Sequence, residues 1–284
     1  MNLPAPPFRR MGPEPSALPV LLSVPHAGRA YTPALLGAAR LPRARLETLE
    51  DRLVDRLVWR AVAAGAAAII AEAPRAEIDL NRDEREVDPA MVMPRLHPAL
   101  VTESVRTRGG LGLVPARIAG AGSIWRDRIP AAELSRRVEQ IHRPFHAAIE
   151  RELAALRARF GIAILLDCHS MPPRASAEAQ IVLGDRHGCS IAPEFVEAAE
   201  HVAWSAGFTV ARNAPYAGGH VTARNGRPKA GIHALQIEID RSLYLGEDLR
   251  SPGPGFDRVA VLIASIVEAI AGRALDPPLA IAAE

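Results

Sequence analysis

At 284 residues, 49% apolar and 23% charged, the chain has the composition of a soluble globular protein and the length for one sizeable core, which excludes disordered and fibrous classes. Its 34 basic residues, all arginine except Lys229, are offset by 32 acids spread along the sequence, so no unopposed basic block marks a nucleic-acid surface. No run of about 18 apolar residues suggests a membrane span, and prolines and charges fill the first 17 residues where a secretory signal needs an apolar stretch, so a cytoplasmic protein is expected.

Residues 1–17 read as a proline-rich arm, 18–275 as a single domain and 276–284 as a tail. The run 18–24 predicts a buried strand that delivers His26 to its carboxyl end. Residues 46–64 carry apolar side chains at helical spacing with Glu47, Glu50 and Asp51 in the first turns, where negative charge suits the helix dipole; a helix from about Thr48 is expected. Strands are expected at 66–71 and 76–80, then a charged loop over 81–88. Residues 91–130 show little periodicity and much Gly, Pro and Arg, as a functional loop or lid would.

A long amphipathic helix is predicted over 131–160, a strand over 161–167, another over 179–183, a helix over 191–206 and a short strand over 208–211. After a glycine-rich loop at 213–229, a strand at 232–239 alternates Leu235, Ile237 and Ile239 against Gln236 and Glu238, and a helix closes the domain at 259–274. Alternating strands and helices of this length predict a three-layer α/β sandwich with a largely parallel sheet.

Ligands of open α/β sheets bind beyond the carboxyl ends of strands, and two such ends here carry histidine, His26 and His169. Two imidazoles and one carboxylate, with a fourth position for water, make a familiar zinc sphere. Spacing leaves the carboxylate open among Glu50, Asp51 and Asp55, of which the last two share a helix face. Asp167 is a candidate acceptor for His169, and Glu238 is the candidate base. Arg75, Arg82 and Arg241 flank strand-like segments, where a guanidinium fork suits an anionic substrate. Cys168 and Cys189 show no metal or disulfide spacing and read as core residues. A serine hydrolase built on Ser170 lacks the GxSxG elbow, and the glycines at 109, 110 and 112 follow no strand into a helix as a dinucleotide loop would. A non-enzymatic anion-binding protein is a further alternative.

The segments "SVPHAG" around His26, "EDRLVD" at 50–55, "RAEIDLNR" at 75–82, "DCHSM" at 167–171, "NAPYAGGH" at 213–220 and "QIEIDRSLY" at 236–244 together resemble the N-formylglutamate amidohydrolase family, in that family's order. The resemblance implies a zinc carboxypeptidase-like fold with a mixed sheet of about eight strands. It implies His26, Asp51 and His169 as ligands of one zinc ion, Glu238 as general base and acid, Asn81 with Arg82 as contacts for a substrate carboxylate, and Arg75 and Arg241 as further anion contacts. Three residues after His26 stands Arg29, not the glutamate of the HxxE motif in zinc carboxypeptidases, so the carboxylate ligand must come from elsewhere. The implied substrate is a small anionic N-acyl amino acid, foremost N-formyl-L-glutamate, cleaved to formate and glutamate in the last step of one route of histidine degradation. Another N-acyl amino acid or a small peptide is the alternative substrate.

Overall fold

Val20–Val24 (β2) and Ala67–Ala71 (β3) are buried along their whole length, which an aliphatic strand reaches only when both faces of its sheet are covered. The computed structural model describes residues 6–102, 104–175 and 178–276. Its main sheet has seven strands: Phe8–Met11 (β1), β2, β3, Ala163–Met171 (β4), Ile181–Gly184 (β5), Val210–Arg212 (β6) and Ile232–Asp240 (β7). They lie in the order β1-β3-β2-β4-β7-β5-β6. The central four, β3, β2, β4 and β7, run parallel; β1 is antiparallel at one edge, and β5 turns antiparallel to β7 with β6 parallel to it at the other. The expected mixed, largely parallel sheet is observed, with seven strands among the described residues where about eight were expected.

Helices cover both faces. Val54–Leu57 (α1), Trp59–Ala63 (α2), Pro193–Ser205 (α5) and Phe256–Leu275 (α7) pack Leu57, Ala61, Phe195, Ile263, Ile266 and Ile270 against Leu22, Leu166 and Ile237. On the other face, Ala131–Arg137 (α3) continues through a π-helical turn at Val138–His142 into Arg143–Phe160 (α4), which packs Phe145, Ile149 and Leu153 against Leu21, Ile69 and Leu165. Among the described residues no helix is long and apolar enough to cross a membrane.

Several local expectations differ from the structure: Cys189, read as a core residue, is exposed, and the loop expected at 213–229 contains a short helix at His220–Asn225. Phe8–Met11, within the proline-rich arm, is an edge strand paired with β3. The helix expected over 46–64 is broken: a helical turn at Arg43–Leu46 and a 3-10 turn at Glu47–Leu49 give way to an irregular corner, and α1 starts only after Leu53, which adopts the left-handed conformation at φ 64°. The backbone N–H of Asp51 donates to the His26 carbonyl at 2.9 Å instead of to a helical carbonyl. Residues 76–80 form a turn, closed by Glu77 N–H onto the Pro74 carbonyl at 2.8 Å; buried Ala76, Ile78 and Leu80 mimic a strand's alternation. Finally, β4 does not stop at Asp167 but runs through Met171, because β7 pairs with it over its full length.

The segment 91–130 holds short pieces, a helical turn at Val105–Arg108 and two-residue pairings of Val92–Met93 with Ile129–Pro130 and Arg117–Ile118 with Gly122–Ser123. Its Leu113, Ile124 and Trp125 join the α4-side core, which fixes it as a wall above the carboxyl ends of the strands.

Candidate active site

Strand alternation decides which side chains can meet. On β4, Leu166 and Cys168 enter the core under α5 and α7, so Asp167 and His169 face the α4 side; on β7, Leu235, Ile237 and Ile239 do the same, so Gln236 and Glu238 face the α4 side too. There the core is apolar as far as Leu165 and Ala234 and then becomes polar. Glu238 sits beside His169 in the parallel register. Thus the polar end of β4 is the inside wall of a cavity and not a strand terminus. Burial pushes the Cys168 thiol up, away from the thiolate that nucleophilic chemistry needs.

The cavity, of about 530 Å³, is lined by all eight residues singled out above: His26, Asp51, Arg75, Asn81, Arg82, His169, Glu238 and Arg241. His26, in the loop after β2, places Nδ1 3.1 Å from His169 Nδ1, and Asp51 Oδ2 lies 3.2 Å from the former and 2.9 Å from the latter. Glu50 instead accepts from the Tyr31 hydroxyl and Arg52, and Asp55 from Arg9 and Arg29, so of the three neighbouring carboxylates only Asp51 stands with the histidines.

The far nitrogens explain why these atoms converge. His26 Nε2 is 2.7 Å from Asp79 Oδ1, and His169 Nε2 is 2.9 Å from Asp167 Oδ2. Each carboxylate accepts an N–H, which leaves both Nδ1 atoms as lone pairs aimed at one another and at Asp51 Oδ2. Three acceptors therefore share one point, an arrangement that only a cation or an extra proton stabilises. A carboxylate behind each imidazole is the usual outer support of a metal-bound histidine. When a proton instead of a metal ion takes that point, burial opposes charge on Asp51, yet the contacts with His169 and His26 hold its carboxyl well below the usual range. For His169 burial again opposes charge, and Asp167, with Asp51, outweighs it to hold the imidazole well above its ordinary pKa. The donor set of two imidazoles and a carboxylate thus fits a zinc ion.

Glu238 is 8% exposed, and burial pushes its carboxyl up to about 7, against the pull of the His169 charge. Its Oε1 accepts from Gln236 Nε2 at 2.8 Å, while Gln236 Oε1 accepts from the Gly219 N–H at 2.7 Å. Gly219 is required here: a Cβ would stand 2.3 Å from the Asn81 amide. Asn81 Oδ1 accepts from the Val221 N–H at 2.8 Å, which turns its amide nitrogen toward His169. Arg82 donates to the Leu111 and Asn81 carbonyls at 2.9 and 2.8 Å. Arg75 pairs with Asp79 at 2.9 Å, and Arg241 donates to Asp51 Oδ1 at 3.2 Å and to Ser170 Oγ at 3.1 Å.

Sequence reasoning passed over Asp79, Gln236, Tyr216, Arg106 and Arg117. Gln236 was within reach, since it lies two residues from Glu238 and so on the same face of the strand. Asp79 was hidden by the reading of 76–80 as a strand. Arg106 and Arg117 line the cavity from the segment 91–130, and nothing marks them among the other arginines of the sequence.

The model of the family described as N-formylglutamate amidohydrolase matches residues 18–245. The N-formylglutamate deformylase of Pseudomonas putida is 33% identical over 238 residues, which cover 81% of this chain and 83% of the relative; that of Pseudomonas aeruginosa is 30% identical over the same shares. The solved N-formylglutamate amidohydrolase of Ralstonia eutropha superposes with a TM-score of 0.87 at 33% identity, covering 94% of this chain and 98% of that one. A structure from Agrobacterium tumefaciens, 19% identical with a TM-score of 0.64 over 95% and 94% of the two chains, shares the fold. With its cavity residues drawn from the matched segment, the chain belongs to the N-formylglutamate amidohydrolase family.

Proposed function

We propose that this protein hydrolyses the amide bond of N-formyl-L-glutamate to formate and L-glutamate, with one zinc ion held by His26, Asp51 and His169. The observation that carries this reading is the convergence of those three ligand atoms beside a buried carboxyl, Glu238, whose pKa is pushed up to about 7. When bound, the ion supplies a Lewis acid for the formyl carbonyl and lowers the pKa of water toward about 7. Glu238 as carboxylate takes a proton from the attacking water, and Gln236 keeps its Oε1 oriented. The same proton then goes to the amide nitrogen as the C–N bond breaks, so that glutamate leaves as the amine and the water oxygen ends in formate.

Asn81 and Arg82 bind a carboxylate of the glutamate moiety, and Arg106 and Arg117 add positive charge from the segment 91–130. Arg75 and Arg241 face the same cavity as further anion contacts, while Arg241 steadies the ligand carboxylate Asp51 and Arg75 steadies Asp79, the carboxylate behind His26. The relatives named for this deformylase activity support the substrate, and the donor set supports zinc.

The test is an assay of the zinc-loaded protein on N-formylglutamate beside N-acetylaspartate and N-succinylglutamate, with Glu238→Gln as control. Cleavage of the formyl compound alone, lost in the control, is expected. A control as active as the wild type removes Glu238 from the base role, and cleavage of none of the three removes the substrate assignment.

A further inference from the structure

On the far side of Asn81 and Arg82 from the cavity lies a second group of imidazoles that the proposed chemistry does not use. His142 closes the π-helical turn and His146 lies four residues on in α4, so both point from one helix face. His220 opens the short helix His220–Asn225 (α6) and reaches them from the opposite side. Ring centroids are 4.4 Å apart for His142 and His146, 5.1 Å for His146 and His220, and 6.0 Å for His142 and His220. His142 and His146 are each 1% exposed, whereas the His220 side chain keeps 12% of its surface open.

The hydrogen bonding of the three rings is one-sided. His142 Nε2 donates to the Arg82 carbonyl at 2.9 Å, and His220 Nδ1 lies 3.8 Å from Asp83 Oδ2. The Leu80 carbonyl is near the His146 ring without the alignment of a hydrogen bond, and neither nitrogen of His146, nor His220 Nε2, has a partner among the described residues. Two rings thus turn one nitrogen toward an oxygen acceptor and leave the other for the group, as metal-bound histidines do. Three packed rings, two of them buried, could serve as core filling, but aliphatic or phenyl side chains would do so without stranding polar nitrogens.

We propose that His142, His146 and His220 form a second metal site, distinct from the His26 group, that takes a borderline divalent ion, zinc foremost, through three imidazole nitrogens. The three ligand atoms lie within 4.8 Å of one another. A tetrahedral ion with Zn–N of about 2.0–2.1 Å sets them about 3.4 Å apart, so binding draws in whichever pairs stand wider than that. Imidazole-only ligation suits zinc, copper or nickel and not the oxygen-seeking magnesium or calcium. Burial lowers the pKa of all three rings, which keeps them in the neutral form that ligates. The ion would join α4 to α6 and to the 81–83 loop, since His142 holds the Arg82 carbonyl and the His220 N–H faces the Asn81 carbonyl at 3.4 Å. Its role is that of a clamp behind the residues that meet the substrate, and the open edge of His220 is its way in.

Metal content of the full chain, reconstituted with zinc and desalted, is compared between wild type and His220→Phe. One equivalent fewer in the variant is expected whatever the first group holds, and equal content overturns the proposal. Asp51→Asn, which disables the first group, provides a second measurement independent of the folding of the first variant. That chain is expected to take up one cobalt(II) ion with visible d–d absorption, and absence of uptake equally overturns it.

Discussion

Nδ1 of His26 and Nδ1 of His169 face each other at 3.1 Å while their far nitrogens are each tied to a carboxylate. Two imidazole lone pairs that close repel unless something positive lies between them, and Asp51 Oδ2 adds a third. The pair is therefore built for an occupant, and the carboxylates of Asp79 and Asp167 set which nitrogen meets it.

Removing one of those carboxylates should act on the metal and not on the substrate. Asp167→Asn and Asp79→Asn are each expected to weaken zinc binding by about 10–100-fold, since an amide no longer fixes the tautomer or raises the basicity of the ring. Competition with a chromophoric chelator reads this directly, and excess zinc should restore much of the lost activity. Unchanged affinity in both variants would leave the two carboxylates without an orienting role.

Glu238 predicts the acid side of the pH profile. A base must be ionised, so activity falls as pH drops through the carboxyl's pKa, which burial pushes up to about 7 in the metal-free chain. A cation on the neighbouring ligands favours the carboxylate and draws the limb downward, so kcat/KM should fall at or below pH 7. Glu238→Gln should cost about 10²–10⁴-fold in kcat, the usual worth of a positioned base, and should abolish that limb. A glutamine variant that keeps the limb assigns it to another group.

What was legible in the sequence was the alternation and the ends. Apolar runs located β2, β3 and most of β5, because a strand covered on both faces by core is apolar on both, and the alternation of Leu235, Ile237 and Ile239 with Gln236 and Glu238 located β7. The same logic failed on β4: the polar residues Asp167 and His169 look like an ending, but the backbone pairs on with β7 and only one face has changed from core to cavity. The choice of Asp51 over Glu50 and Asp55 depends on a corner made by the left-handed Leu53, and apolar spacing reads straight across it. Asp79 was out of reach for a like reason, since a turn that buries Ile78 and Leu80 reproduces the period of a strand. The histidine triad was invisible because its members are brought together only when α4 packs beside α6.

Arg82 should act on binding more than on the chemical step. Its Nε and Nη1 already hold the Leu111 and Asn81 carbonyls, and Nη2, 3.9 Å from Asp79 Oδ2, is the part of the fork left for an anion in the cavity. Arg82→Lys keeps the charge and loses the fork, so KM for N-formylglutamate should rise about 10-fold or more, about 1.4 kcal/mol, with a smaller change in kcat. Steady-state kinetics separates the two, and a kcat loss at constant KM would move Arg82 into the chemistry.

Glu133 makes a prediction about stability. It accepts from Arg136 and Arg137, and Arg137 in turn donates to the Glu77 carbonyl at 2.8 Å, anchoring the turn that carries Asp79 and Asn81. The Arg136 hydrogen bond, opposed by partial burial and aided by Arg137, holds the Glu133 carboxyl down to about 2. A carboxyl lower in the folded than in the unfolded chain binds its proton first on unfolding. Its contribution is therefore full above the unfolded pKa of about 4.3 and is lost as pH falls from there through about 2. Thermal melts of wild type and Glu133→Gln should differ at pH 6 and converge as pH is lowered through 4 toward 3. Melting curves that stay equally separated across that range would remove Glu133 from the acid dependence of the fold, and the arginine clamp would then hold the turn without help from its charge.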